Sequence, residues 1–249
     1  MPLSDALREA PGALGTVRNA ALLLRLLADG PAYQQLTDLA DRSGLSLATV
    51  HRLLRSLVLA ELVEQDPRSA RYGLGPELTR LSHRYLARHP VVAALAPYLG
   101  QLREQTRATV SVQLLVGTGV VTVDRVEGRD AGLYRDPHEL RPALRTAAGR
   151  LIGARAEDDR WKHLLDAVGE QLRDLAERER EAWSRAAWLH VGDAGVAGEL
   201  AVPIADADGQ VVAALTAAVA ADPTAEALDE IAALLARAAG VATRPWGRA

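Results

Sequence analysis

The chain of 249 residues contains no cysteine and no phenylalanine, and Lys162 is its one lysine. Without cysteine there is no disulfide framework, no thiolate metal site and no thiol nucleophile. The six histidines, at 51, 83, 89, 138, 163 and 190, are scattered without metal-ligand spacing. Asp206-Ala207-Asp208-Gly209 lacks the further ligands and the closing glutamate of a calcium loop, and reads as a hairpin turn. Gly117-Thr118-Gly119 lacks the third glycine and following helix of a dinucleotide loop. Ser111 and Ser184 have no evident His and Asp companions, so the sequence presents no catalytic constellation. No metal, cofactor or enzymatic activity is expected. Long apolar runs are missing too. The longest, such as VVAALTAAVAA (211–221), fall short of the roughly 18 residues that span a bilayer. The first 15 residues, MPLSDALREAPGALG, show no basic segment followed by an apolar stretch. A cytoplasmic protein with no membrane partner is the expectation.

Charge of one sign is also absent, since the formal net charge is −3. Its distribution is uneven. Residues 1–90 carry 11 Arg against 9 acids, whereas residues 91–249 carry 18 Lys and Arg against 23 acids. A slightly basic front and an acidic back suggest two tasks. The length suits one large or two ordinary domains, and an apolar fraction of 49% is enough to build their cores.

Helical spacing opens at Thr16–Leu27, after a loose arm over 1–15, and stops at Gly30-Pro31. A second helix fits Leu36–Ser43, with Gly44 placed to close it in a left-handed conformation. GLSLATVHRLLRSL (44–57) begins a third helix that the spacing carries to about Leu62. Ser46 is its expected N-cap, accepting from the Thr49 N–H. Val63–Gln65 and Arg71–Leu74 read as short strands around the turn Asp66-Pro67-Arg68-Ser69. The order helix, helix, turn, helix, hairpin is that of a winged helix-turn-helix, expected over 16–75. A linker helix over 76–90 follows, and then a domain over 91–249. Within that domain a helix fits Val91–Thr106, and alternation predicts strands at 109–115, 120–126, 199–204 and 210–217. Residues 127–142 read as loop and 146–156 as helix. A charged, solvated helix falls within 157–187, and a final helix covers 224–241. Helices flanking an antiparallel sheet make this second domain α+β.

In a helix-turn-helix the second helix of the motif enters the major groove, and its N-terminal residues meet base edges. Here those are Ser46, Leu47, Ala48, Thr49 and Arg52. Arg52 suits a bidentate contact to guanine, and Ala48 and the Thr49 methyl suit thymine methyls. His51 and Arg55 suit phosphate. On the wing, Arg68, Ser69 and Arg71 suit the backbone or a minor groove. Thr16 and Arg18 sit where a helix N-terminus meets phosphate. Any single surface arginine is more often mere solvated surface. The surplus of seven Arg over four acids across residues 44–88 nevertheless lies where the motif needs it. One winged helix covers only a half-site, so a homodimer on an inverted repeat of double-stranded DNA is the economical expectation.

LTDLADRSGLSLATVHRLLRSLVLAELVEQDPRSARYGLGPELTRL (36–81) resembles the DNA-binding domain of the IclR family of bacterial transcriptional regulators. The shared features are L-x-x-L-A-x-x-x-G-L, T-V-H-R-L-L-x-x-L and the Y-x-L-G that ends the wing. LRPALRTAAGRLIGA (140–154) and GVAGELAVPIADADGQVVAALTAAV (195–219) resemble two further family segments. The resemblance implies a GAF-like α+β domain that binds a small effector. It also implies dimers, often paired into tetramers, whose hold on an operator the effector changes; repression is the expected sign. Three departures stand out: Arg150 in place of a usual lysine, a shorter segment between Ala154 and Trp188, and Glu199 where a small or sulfur residue is frequent.

The resemblance also implies an effector site at Leu133, Leu140, Ala147, Ala148, Asp193, Glu199, Thr216 and Ala218. Each alanine among these is as readily a plain core position. Glu199 is more informative, because a carboxylate beside the ligand repels acidic effectors unless a cation such as Arg145 or Arg150 pairs with it. A rival reading from another class remains open. It is a non-DNA interaction module or small-molecule enzyme, in which the winged helix docks a protein partner and the second domain does chemistry.

Overall fold

In the computed structural model the described residues, 15–128 and 140–242, divide into two compact units that meet in the chain between Leu86 and Ala87. The expected N-terminal arm up to residue 14, and Leu133, lie outside the described residues.

In the first unit, helix α1 spans Gly15–Ala28, α2 Leu36–Ser43 and α3 Leu47–Leu59. They enclose an aliphatic core of Leu23, Leu27, Leu39, Val50, Leu53, Leu54 and Leu57, closed by Val63 and Tyr72 from the hairpin. The turn between α2 and α3 follows from two residues. Gly44 takes φ +67°, and its N–H donates to the Ala40 carbonyl, ending α2. Ser46 is extended and its hydroxyl accepts the Thr49 N–H at 3.3 Å, starting α3. Helix α3 stops at Leu59, short of the expected Leu62. Glu61 turns left-handed at φ +55°, and the Leu62 N–H donates to the Leu57 carbonyl at 3.0 Å. This is a Schellman-type closure made without the usual glycine, so no residue type there marks the helix end. Strands β1 (Val63–Gln65) and β2 (Tyr72–Leu74) form the antiparallel wing. Gln34 ties that wing to the helices. Its backbone bridges Tyr72, and its buried side-chain amide donates to the carbonyls of Leu26, Leu27 and Pro31. Helix α4, Glu77–Ala87, buries none of its residues.

The second unit begins with α5, Pro90–Thr106, in which Pro90 opens the helix and does not merely end the one before. Strands β3 (Val110–Val116), β4 (Gly119–Val126), β5 (Arg141–Pro142), β6 (Leu189–Val191), β7 (Gly198–Ala205) and β8 (Val211–Val219) form one antiparallel sheet. Its strand order is β5-β4-β3-β8-β7-β6. The very short β5 and β6 fall where no strand was expected. Between β5 and β6 lie α6 (Ala147–Ala154), α7 (Asp158–Asp166) and α8 (Glu170–Arg185), and α9 (Ala225–Ala242) ends the unit.

Both faces of this sheet are covered. Val110, Val112, Leu114, Leu200, Val202, Ile204, Leu215 and Ala217 point to one face and pack with α5 and α9. The alternate positions point the other way, where Leu115, Ala201 and Ala214 meet α6 and, beyond it, α8. This second core holds Trp161 edge-on to Trp183, with ring centroids 6.5 Å apart. Arg180 lies over the first ring and Arg150 over the second.

The two cores make separable stability predictions. Leu54→Ala removes a fully buried side chain and should cost about 2–5 kcal/mol. The circular-dichroism midpoint in urea is expected to fall. Tryptophan fluorescence is expected to hold its midpoint, because all four tryptophans lie beyond residue 160.

Candidate functional site

The first candidate surface is built by α3 and the wing. Burying Val50, Leu53, Leu54 and Leu57 turns the other face of α3 outward. Ser46, Leu47, Ala48, His51, Arg52 and Arg55 are exposed, and Thr49 is half-buried under the cap. Arg68, Ser69 and Arg71 are exposed on the wing. The guanidinium groups of Arg52, Arg55, Arg68 and Arg71 make no ion pair or hydrogen bond with the described residues. Arg80, by contrast, pairs with Glu77. The wing turn is built around Asp66. The Ser69 hydroxyl and the backbone N–H groups of Arg68 and Ser69 all donate to its carboxylate and hold it below the usual carboxylate range. Thr16 is exposed in the first turn of α1, and Arg18 is half-buried. Tyr33, not anticipated, donates to Glu64 and joins the α1–α2 connection to β1.

The second candidate is a cavity of about 760 Å³ over the α6-facing side of the sheet, beside the apolar patch that α6 covers. Its floor is polar. Among the described residues seven polar side chains are buried, and Thr109, Ser111, Gln113, Thr146 and Thr216 all line this cavity. Strand register explains the grouping. Ser111 and Gln113 are two apart on β3, and Ser111 stands opposite Thr216 on β8. Their hydroxyls lie 2.8 Å apart.

Glu199, on β7 opposite Ala218, organises the inner wall. Its side chain is 13% exposed. One carboxylate oxygen accepts the Ala148 N–H, 3.3 Å away in the first turn of α6. The other accepts from Gln113 Nε2 at 3.3 Å and is paired with Arg141 on β5. Neither expected cation is the partner. Arg145 is exposed at the cavity mouth. Arg150 is turned away, with Nε on the Leu144 carbonyl and its guanidinium 4.8 Å from the Trp183 ring centroid. Burial lowers the pKa of Arg150 from its ordinary value.

Of the residues expected around an effector, Asp193, Glu199, Thr216 and Ala218 line the cavity. Ala147 and Ala148 sit fully buried in the core behind it, so Ala148 offers only its backbone. Leu140 is exposed and does not line it. Sequence reasoning missed Thr109, Ser111, Gln113, Thr122, Arg125 and Arg141. The signal was present in TVSVQLL, whose polar residues alternate within an otherwise apolar strand. Elsewhere, no group of three or more potential ligands is placed to hold a metal ion among the described residues. No described helix is long and apolar enough to cross a membrane.

Residues 16–67 match the IclR helix-turn-helix domain. Over 215 residues the chain is 30% identical to the glycerol operon regulatory protein of Streptomyces coelicolor, covering 74% of this chain and 84% of that one. A solved structure of a putative IclR transcriptional regulator from Silicibacter sp. TM1040 superposes with a TM-score of 0.79 and 26% identity, covering 92% of this chain and 95% of that one. An IclR homologue from Microbacterium hydrocarbonoxydans, solved with 4-hydroxybenzoate, shares the fold, with a TM-score of 0.65 and 19% identity over 91% of this chain and 97% of that one.

The cavity wall carries its own test. A Cβ on Gly149 would lie 2.1 Å from the Ala143 carbonyl oxygen, so Gly149→Ala must displace the start of α6 and the Ala148 N–H with it. The tryptophan-fluorescence midpoint in urea is expected to fall, by an amount typical of an overpacked site, about 1–3 kcal/mol.

Proposed function

Because the chain belongs to the IclR family of transcriptional regulators, we propose that it represses transcription by binding a specific operator, and that a small molecule in the 760 Å³ cavity changes that binding. The observation that carries the DNA half is the outward face of α3. Arg52 and Arg55 are exposed there and unpaired among the described residues, on a helix whose start Ser46 caps. In this reading Arg52 reads guanine, Ala48 and Thr49 touch base methyls, and His51, Arg55 and the wing residues Arg68, Ser69 and Arg71 hold the backbone. Thr16 and Arg18 add phosphate contacts. Two copies on an inverted repeat supply the second half-site, and dimers pair into tetramers on longer operators.

The effector half rests on the buried polar floor. Desolvated hydroxyls and an amide gathered over one part of a sheet are costly in a plain core and useful to a ligand. The Microbacterium homologue, which was solved with 4-hydroxybenzoate, adds support from the fold. A ligand shifts DNA binding only if it binds one dimer geometry better than another. We assign the reorientation to α4, which buries none of its side chains and ends where the two units meet in the chain. Unchanged half-site spacing in crosslinking with and without effector would remove that assignment.

The test of the DNA reading uses DNA from upstream of the chain's own gene and of neighbouring genes, at two salt concentrations. Wild type is expected to select one fragment, with affinity falling steeply as salt rises. Arg52→Ala should lose about 1–3 kcal/mol of discrimination while keeping non-specific binding. No DNA binding by wild type even at low salt would favour a protein-docking winged helix.

A further inference from the structure

Three arginines line the cavity among the described residues, and they are not equivalent. Arg141 is engaged by Glu199. Arg145 stands exposed at the mouth, where water solvates it. Arg125, on β4 opposite Ser111, has a side chain only 17% exposed. Its Nε and Nη2 are buried and have no hydrogen-bond partner. Nη2 lies 3.2 Å from Glu127 Oε1 but is not aligned to donate to it, and Glu127 is 62% exposed. An ion pair with so exposed a partner contributes little, whereas a desolvated guanidinium edge left without acceptors is costly. Nε and Nη2 form the edge of the group that takes both oxygens of one carboxylate side by side. Arg125 already lines the cavity, and a turn of its long side chain exchanges Glu127 for a carboxylate inside it.

The charges around the cavity admit an anion. Arg125, Arg141 and Arg145 stand against Asp193 and Glu199, three against two, an excess of one positive charge among the described lining residues. Glu199 does not repel a carboxylate on its own account, because Arg141 pairs with it and the Ala148 N–H and Gln113 Nε2 donate to it. Gln113, two residues along β3 from Ser111, adds a second requirement. It is 2% exposed, and its Oε1 has no hydrogen-bond partner. Turning the amide over would aim Oε1 at the Glu199 carboxylate, so the orientation is set. A buried carbonyl without a donor costs free energy that an incoming hydroxyl recovers. The Ser111 and Thr216 hydroxyls beside it can accept or donate to further hydroxyls. A protonated amine would answer Gln113 as well, but it would add positive charge to a wall that already carries an excess. No aromatic side chain lines the cavity among the described residues, so nothing there stacks on a flat ring.

Resting on the reading of this cavity as the effector site, we propose that it binds an aliphatic hydroxy acid with a single carboxylate. The carboxylate pairs with the Nε–Nη2 edge of Arg125, and a hydroxyl further along the chain donates to Gln113 Oε1. Arg125 and Gln113 are thus the specificity-determining residues, one for the charge and one for the hydroxyl.

The experiment is calorimetry on the full chain at neutral pH with three series, each a hydroxy acid, its polyol and the acid without hydroxyls. They are glycerate, glycerol and propionate; 4-hydroxybutyrate, 1,4-butanediol and butyrate; gluconate, sorbitol and hexanoate. At least one hydroxy acid should bind wild type about tenfold or more tighter than both of its analogues, each of which forgoes one interaction. Arg125→Gln removes the charge and the fork, and should weaken that hydroxy acid by about tenfold or more. Arg125→Lys keeps the charge without the fork and should fall between, so the proposal remains testable if Arg125→Gln does not fold. Gln113→Met removes the acceptor and should bring the hydroxy acid down to the level of the acid without hydroxyls. A polyol that binds as tightly as its hydroxy acid overturns the proposal, as does the absence of binding by all three hydroxy acids. Equal binding of 4-aminobutyrate and 4-hydroxybutyrate overturns the hydroxyl requirement, and unchanged selectivity in Arg125→Gln overturns the role of Arg125. The same preparations are assayed for DNA selection. A protein that selects its upstream fragment and binds none of the three series has lost the ligand class but kept the regulator reading; loss of DNA selection tells against that reading itself.

Discussion

A carboxylate placed against the middle of a sheet and largely removed from water must be given donors. Glu199 obtains them from three directions. They come from the first turn of α6, from the amide of Gln113 on β3 and from Arg141 on the edge strand β5. Those contacts join segments that are far apart in the chain, and they decide the charge, shape and hydrogen-bonding character of the cavity. The Thr146 hydroxyl, by accepting the Gly149 N–H at 2.9 Å, holds the start of α6 so that the Ala148 N–H stays aimed at the carboxylate. Gly149 allows that start to lie against the Ala143 carbonyl. The cap, the glycine and the ion pair form one device.

One face of the sheet is thereby split in two. Where Leu115, Ala201 and Ala214 face outward, α6 packs down and the surface is core. Where the same alternation places Ser111, Gln113 and Thr216, no described helix covers it and a cavity results. The other face is apolar across β3, β7 and β8, which anchors the sheet on α5 and α9 and leaves the polar half free to specialise. The first unit follows the same economy. One face of α3 is spent on the core, and the opposite face keeps its arginines clear of acidic neighbours among the described residues.

The sequence made much of this legible, because local chemistry sets local structure. Gly44 and Ser46 mark a helix end and a helix start two residues apart, and both behave as their side chains dictate. The Asp66–Ser69 turn is equally plain, since an aspartate can bind the next backbone N–H groups wherever it occurs. Illegible features were non-local or cheaply disguised. Glu61 takes a left-handed conformation because Leu62 and the wing demand it, and nothing in its side chain announces that. Strands β5 and β6 hold two and three residues, too few to show alternation. The Arg141–Glu199 pair spans 58 positions. With several arginines nearby, only the fold could select which one reaches the carboxylate. The polar floor was within reach, since Ser111 and Gln113 interrupt an apolar strand at a spacing of two. Only their partner Thr216 was expected at an effector site, and the significance of all three depends on two strands lying side by side.

The sheet's outermost strands have a further consequence. β5 is two residues long and one of them is Pro142, while β6 is three residues long. Proline offers no N–H, and such short borders expose few free backbone groups for another strand to join. Any association of copies through this domain is therefore steered toward side-chain surfaces and away from continuation of the sheet. Contacts of that kind can be made and released. A sheet shared between chains would commit them more permanently, and would carry the hazard of growing without end.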